Sequence, residues 1–402
     1  MSFQYAVLGG GRQGTAAAYD LALRGDAELV TIADRDEAIA QTSAAEVNRL
    51  LGSEVARPRQ LDVADPQALT EFLRPIDSFL SAVPFPLNLG VTEAAVAAAA
   101  NMCDLGGNTD LVRRQLEVDS DARSAGISVI PDCGQVPGMG TSLMTFALEL
   151  LDEPAGVMLW DGGLPLSPEE PWNYCLTFNI GGLTNEYFGT TRFLRDGQPT
   201  EVRCFDPAGY GRIEFPAPFG ELEAFVTAGG TSTMPWTYSG KLQYLENRTL
   251  RYPGHVAQWK AFSDAGLLGQ EPIDVGGTAI SPRDVLHALL AKKLEPAGEI
   301  HDAVLVRVVA TGRHAGRRAE VEVNLVDLFD EQTGFTAMQR CTGFDGAIIT
   351  ALMAQGETPA GAIPREISVD RQRYVAELRL RGFQIEVEQR FTDQIAAIPG
   401  NA

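Results

Sequence analysis

Histidine and cysteine are both scarce in this 402-residue chain, which has four of the first and five of the second. The cysteines, Cys103, Cys133, Cys175, Cys204 and Cys341, are odd in number and in no C-x-x-C spacing. That excludes a disulfide framework and a zinc site, and no metal is expected. Basic charge is short too: 32 Lys and Arg against 53 Asp and Glu give a net charge of −21, with no basic stripe. A phosphate backbone needs a basic footprint, so nucleic acid is excluded as a partner. A small anion is not, because a few local arginines override the global field. Long apolar runs are also missing. The longest, "VTEAAVAAAANMCD", is alanine-rich and well short of a membrane span. The opening "MSFQYAVLGGGRQG" has no charged and apolar leader pattern, so the expected location is cytoplasmic, away from membranes.

What is present begins with a dinucleotide signature. "YAVLGGGRQGTAAAYDLALRG" reads as strand, glycine turn and helix, with Gly9, Gly11 and Gly14 in G-x-G-x-x-G spacing and Arg12 and Gln13 inside the turn. Such glycines allow a tight turn, close approach of a pyrophosphate and close helix–strand packing, and the free N–H groups of the helix start favour anions. A second strand, "AELVTIAD", ends in Asp34, where a carboxylate can bind the adenosine ribose. Asp34 favours NAD because it repels a 2′-phosphate. Arg35 beside it can instead clamp that phosphate, so NADP stays open. Asp62 and Val63 close a third strand at the adenine edge, and Ala82, Val83 and Pro84 close a fourth, toward the nicotinamide half. Asp104 ends the fifth strand and Asp132-Cys133-Gly134 the sixth. Asp104 reads either as a functional carboxylate or as a turn residue, and Cys133 as a small buried filler. Strands alternating with helices predict a parallel, doubly wound Rossmann sheet over residues 1–132.

From 133 to 335 the fabric changes. Strand-length alternation broken by Asp-Gly and Pro turns predicts a large mixed, mostly antiparallel sheet, an α+β substrate and dimerisation domain. Helices are expected at "WTYSGKLQYLEN", "HVAQWKAFSDAGLL" and "SPRDVLHALLAKKL". The segment 336–391 is expected to pack back on the first domain.

A string of motifs in chain order resembles the saccharopine dehydrogenase superfamily. They are "VLGGGRQG", "SAVPFP", "CDLGGN", "PDCGQVPGM", "WDGGLP", "GLTNEYFG", "LEAFVTAGGTSTMPWTYSG", "TLRYPGH" and the tail "AMQRCTGFDGAIITALMAQG" with "GAIPREISVD". "GLTNEY" and the histidine that ends "RYPGH" are similar to the lysine 6-dehydrogenase branch. The resemblance implies an NAD(P)-linked enzyme, a homodimer or a dimer of such dimers, that oxidises the ε-amine of an amino-acid substrate, L-lysine, to allysine. The same superfamily offers saccharopine or carboxynorspermidine dehydrogenase as an alternative, and a non-catalytic dinucleotide sensor is a reading from another class.

On that implication Arg251 is the expected anchor for an α-carboxylate. His255, in the first turn of the next helix, is an expected catalytic base whose proton affinity the helix N-terminus lowers. Asp104 is the second catalytic candidate. Glu186, Tyr187 and Thr231 are expected to bind substrate. Arg248 is expected to be exposed, yet to stand with Arg192 as a spare cation for a substrate with more carboxylates. Lys241 is expected at the surface.

Overall fold

The computed structural model describes residues 2–296 and 298–391. Two compact units are present. One comprises residues up to Phe146, Ser232–Met234 and Asp330–Phe383; the other comprises Ala147–Thr231, Pro235–Phe329 and the chain from Gln384.

In the first unit, strands β1 (Phe3–Leu8), β2 (Ala27–Asp34), β3 (Ala56–Gln60), β4 (Ser78–Ser81), β5 (Asn101–Asp104) and β6 (Ser128–Ile130) form a parallel sheet. A seventh strand, Gly361–Ala362, closes one edge beside β6, and the remaining order is β6-β5-β4-β1-β2-β3. This is the doubly wound order, with its reversal between β1 and β4. The alanines of "GTAAA" allow the first helix, Arg12–Arg24, to press on the sheet, and Ala16, Ala17 and Ala18 are all fully buried. Gly14 is obligatory there, since a Cβ would stand 1.9 Å from the Gly9 carbonyl oxygen.

The segment Asp330–Phe383 completes this unit. Helix Asp345–Ala354 is apolar nearly all round, and every residue but the last is buried. That is the pattern of a helix within a core rather than on its surface. It lies against β4 and β5, where Cys103 Sγ meets Thr350 Oγ1 at 3.1 Å and a Cβ on Gly346 would stand 2.9 Å from Leu80. The expected returning segment 336–391 therefore divides. Gly382, at φ +86°, ends the helical part, and Ile385–Phe391 pairs antiparallel with a strand of the other unit's sheet.

The second unit carries a nine-stranded mixed sheet. Its strands are β7 (Glu153–Pro165), β8 (Thr190–Arg195), β9 (Gln198–Arg203), β10 (Gly211–Phe215), β11 (Gly220–Phe225), β12 (Tyr244–Arg251), and, beyond the small hairpin β13 (Ile273–Val275) and β14 (Thr278–Ile280), β15 (Asp302–His314) and β16 (Arg317–Leu328), followed by Ile385–Phe391. The β12–β7 pair is parallel and the other described pairs of this sheet are antiparallel. The helix expected over "WTYSGKLQYLEN" is mostly absent. Only Met234–Thr237 is helical; Gly240, at φ +71°, breaks the run, and the alternating residues from Tyr244 join the sheet. The helices expected further on form at His255–Asp264 and Pro282–Leu294.

One buried ion pair ties the first helix of the first unit to its last. Arg381 donates to both oxygens of Asp20, at 2.9 and 2.8 Å, and both side chains are 2% exposed. Removing one partner strands a buried charge, which costs about 3–5 kcal/mol. Arg381→Met should lower the unfolding free energy by that amount in chemical denaturation. The double variant with Asp20→Asn should recover much of the loss.

Candidate functional site

Two clusters of polar side chains stand out, one in each unit. The first surrounds the glycine turn and the carboxyl ends of the parallel strands. Gly9 takes φ +99°, and a Cβ there would meet the Ala82 oxygen at 2.7 Å, so turn and β4 end meet closely. The helix beginning at Arg12 follows Gly11, and no side chain caps it, which leaves its first N–H groups to an anion. A dinucleotide's pyrophosphate fits this cradle. The Gln13 backbone also meets the C-terminal segment, since a Cβ on Gly343 would stand 2.7 Å from the Gln13 oxygen.

Asp34 accepts hydrogen bonds from the N–H groups of Gly10 and Asp36, both at 2.9 Å. Asp36 in turn caps the helix Glu37–Leu51 by accepting from Ala38 N–H at 2.9 Å. An open recess of about 630 Å³ lies here, lined by Arg35, Asp36, Glu37, Ala38, Gln41 and Gln60. Arg35 is exposed at its rim. Asp62 turns the chain by accepting from Ala64 N–H, and Val63 packs on the core. Val83 packs there too, while Pro84 is exposed and starts a short 3₁₀ turn.

Asp104 is fully buried and its oxygens are engaged: they accept from Gly106 N–H (2.8 Å), Asp132 N–H (3.2 Å) and Gln115 Nε2 (2.7 Å). It is thus a turn-holding carboxylate, and what it holds is Asp132. Asp132, two residues beyond β6, is 2% exposed and sits in the left-handed region at φ +64°, which costs a non-glycine residue energy. Its Oδ2 accepts a short hydrogen bond from Ser232, itself at φ +39°. Next to Ser232, Thr233 donates to the Glu366 carboxylate at about 3 Å. Burial pushes the Asp132 carboxyl up to about 8, against the stabilising Ser232 bond, with Asp104 and Glu366 adding to the rise. Cys133 is fully buried beside it and donates to the Ile130 carbonyl, in keeping with a filler. Ser232 and Glu366 were not picked out from the sequence, and Asp132 was noted only as a strand end. The one local signal is a Pro-Asp-Cys-Gly step directly after a strand.

The second cluster lies wholly in the second unit. Alternation along β12 sends Arg251 to one face and Arg248 to the other. Arg251 Nε donates to the Tyr187 hydroxyl oxygen at 3.0 Å, Nη1 donates to the Leu250 carbonyl at 2.9 Å, and the guanidinium stands 5.1 Å over the Tyr174 ring. Tyr187 Oη lies 2.9 Å from His255 Nε2. One hydrogen is shared in this contact, and the His255 tautomer decides which of the two donates it. Tyr187 is fully buried at the end of helix Ile180–Glu186 and packs edge-on against Phe205, Phe225 and Trp259. No carboxylate among the described residues reaches salt-bridge distance of Arg251, although it is 4% exposed. The buried Tyr174 hydroxyl likewise has no hydrogen-bond partner among the described residues. A guanidinium without an acid, next to an orphan hydroxyl, can receive an anion.

Arg251, Tyr187 and His255 are thus brought together, with Glu186 adjacent. Thr231 is not among them; its hydroxyl is spent on the Arg192 carbonyl at 2.9 Å. One expectation needs correction. Arg248 is buried, not exposed, because it pairs with Glu246 on the opposite face of β12 and lies over Phe193. His255, at the N-terminus of its helix, is held neutral by burial first and by Arg251 second. That terminus already has an anion, the Glu223 carboxylate, which accepts from Val256 N–H at 2.9 Å. Lys241 is exposed, as expected.

The Asp132 environment has a measurable consequence. Its pKa is raised from 3.8 to about 8, so the folded state holds this proton more tightly than the unfolded chain. The resulting stabilisation is complete below about pH 4 and is lost as pH rises toward 8. Asp132→Asn should flatten this part of a plot of denaturation midpoint against pH. An unchanged slope would mean that another group titrates.

Residues 5–130 match the saccharopine dehydrogenase NADP binding domain and residues 134–383 the saccharopine dehydrogenase C-terminal domain. A curated relative, the NADP(+), L-glutamate-forming saccharopine dehydrogenase of Pyricularia oryzae, is 25% identical over 230 residues, 55% of this chain. The match spans only 50% of that relative's length. Among solved structures, an apo saccharopine dehydrogenase (L-Glu forming) from Saccharomyces cerevisiae shares the fold with a TM-score of 0.76 and 20% identity, covering 97% of this chain and 100% of that one. With both family domains matched along nearly its whole length, the chain belongs to the saccharopine dehydrogenase family.

Proposed function

We propose that this protein is an NAD(P)-dependent dehydrogenase that oxidises the ε-amine of L-lysine, giving allysine and ammonia. The observation that carries this reading is the acid-free Arg251 beside the Tyr174 hydroxyl, a ready seat for one α-carboxylate. Saccharopine carries more carboxylates than lysine, and the other candidate cations are committed: Arg248 to Glu246, and Arg192 to Glu201 at 3.5 Å. The alternative, oxidation of saccharopine itself, is supported by the printed name of the curated relative.

The bound nicotinamide supplies the acceptor for hydride. The amine loses one hydride and one proton to become an imine, and water then adds to release ammonia and the aldehyde. The chain's task is to bind the substrate, hold it and take the proton. Arg251 binds the carboxylate, and Tyr187 with His255 fixes its direction. Within the first unit, Asp132 is a candidate base in its own right: it stands beyond the carboxyl end of a parallel strand, where such sheets bind ligands, and its pKa of about 8 suits a base working near neutral pH. Asp104, with its oxygens occupied, positions Asp132.

NAD is the expected cofactor. Asp36 and Glu37 line the recess with Arg35, and the N–H groups of Asp36 and Ala38 are taken by the Asp34 and Asp36 carboxylates. A 2′-phosphate finds repulsion there and few donors. A cytoplasmic homodimer completes the reading.

Full-length protein mixed with L-lysine and NAD should develop the absorbance of reduced nicotinamide, more slowly with NADP. Arg251→Met should lower kcat/KM by roughly 10–150-fold, the equivalent of about 1.5–3 kcal/mol for a charged hydrogen bond. Growth of the band with saccharopine but not with lysine would move the assignment to the alternative. Cofactor binding without turnover of either would make the protein a sensor.

A further inference from the structure

The first unit includes three residues, Ser232–Met234, that are far in sequence from the rest of it. All three are buried, so two hydroxyls are placed out of reach of water and each needs a partner. Both go to carboxylates. Thr233 Oγ1 donates to Glu366 Oε1 and Oε2, at 3.0 and 2.9 Å, and Ser232 Oγ donates to Asp132 Oδ2. Thr233 and the fully buried Met234 anchor the segment, and between them and Gly230 the Ser232 backbone turns at φ +39°, in the left-handed region that favours glycine. A serine held there costs energy, and the bond it makes in return is the one to Asp132.

Asp132 is held from its other side as well. Its N–H donates to Asp104 Oδ1 at 3.2 Å, and the Cys133 N–H donates to the Asp104 carbonyl at 2.6 Å. Its Oδ1 lies so close to residue 106 that only a glycine fits there. Among the described residues, Ser232 Oγ is the one donor to the Asp132 carboxyl group itself. The charged groups that act on it give little help. Asp104 and Glu366 oppose a negative charge, while Arg365 favours one but is itself paired with Asp345 at 3.0 Å. Cys133, the next residue, is a thiol that burial keeps protonated. A buried carboxyl with no donor stays neutral, and one with several stays charged. A single donor leaves it between the two.

We propose that Ser232 is a positioning residue for Asp132: it holds Oδ2 in one direction and supports the charged form of the carboxyl, so that this group can both take up and release a proton. The consequence for catalysis rests on the reading of Asp132 as a candidate base; the effect on Asp132 itself does not. A hydrogen bond from Ser232 favours the carboxylate, so its loss raises the proton affinity of Asp132 beyond the value of about 8 that it already has. A bond of this kind, to a charged group, corresponds to roughly one to two pH units.

The test is Ser232→Ala and Ser232→Gly in the full chain, each read by two measurements. In the first, the denaturation midpoint is followed against pH. Wild-type protein loses the stabilisation from the Asp132 proton as pH rises toward about 8. In both variants that fall should continue roughly one to two pH units further. In an Asp132→Asn background, Ser232→Ala should leave the pH dependence unchanged. In the second, kcat is followed against pH with L-lysine or saccharopine, whichever turns over, and its rise should move up by the same amount. A destabilised variant with an unmoved denaturation profile would overturn the proposal and leave Ser232 a structural contact. A shift in Ser232→Ala that is absent from Ser232→Gly would overturn it too, because glycine relieves the φ without restoring the donor. Should Ser232→Ala not fold, Ser232→Gly, free of the φ cost, decides by the same criterion. A moved denaturation profile with an unmoved kcat profile would keep Ser232 as the residue that positions Asp132 and remove Asp132 as the base.

Discussion

The hydrogen bond from Arg251 to the Tyr187 hydroxyl is where the second unit's chemistry is organised. It connects the end of β12, the end of helix Ile180–Glu186 and the start of helix His255–Asp264 through three side chains. It also orders the polar contacts. The guanidinium donates to the tyrosine oxygen, that hydroxyl shares a hydrogen with His255 Nε2, and burial keeps His255 neutral. Breaking any link would leave a buried polar group unsatisfied, a cost of about 1–3 kcal/mol, so the direction of the guanidinium is held firmly.

In the first unit the comparable constraint is close backbone approach. Gly9 and Gly14 bring turn, helix and β4 end together, and the glycine at 106 packs so tightly on Asp132 that a Cβ there would lie 2.4 Å from its Oδ1. The Asp104–Asp132 pair depends on that closeness. Asp104 fixes the backbone of Asp132, and a strained left-handed φ aims the second carboxyl at Ser232. Burial raises the proton affinity of both acids; Asp104 accepts three hydrogen bonds that offset it, while Asp132 accepts from Ser232. The same residue type on neighbouring strands thus serves two purposes because of its partners.

Much of this was legible in the order of residues. The glycine spacing, the acid at the end of β2 and the strand–helix alternation specify a doubly wound sheet, because backbone turns and periodicity are local properties. Arg251, His255 and Tyr187 were legible as candidates because polar residues at the end of a strand and the start of a helix have few structural reasons to be there. Arg248 was misread for want of one fact, that residues 248 and 251 lie on opposite faces of the same strand. Asp132 was underrated because nothing local distinguishes it from any acid after a strand.

By itself, then, the sequence determined the two fold classes, the dinucleotide turn and a short list of polar candidates, all of which follow from interactions within about twenty residues. Tertiary structure decided which candidates work together. Thr231 went to the Arg192 carbonyl, Asp104 to a turn and Arg248 to Glu246, while Ser232 and Glu366 entered from distant segments. The physical reason is that burial and hydrogen-bond partners set both the charge and the direction of a side chain. Those partners come from segments some hundred residues apart, as with Asp132 and Ser232 at a separation of 100.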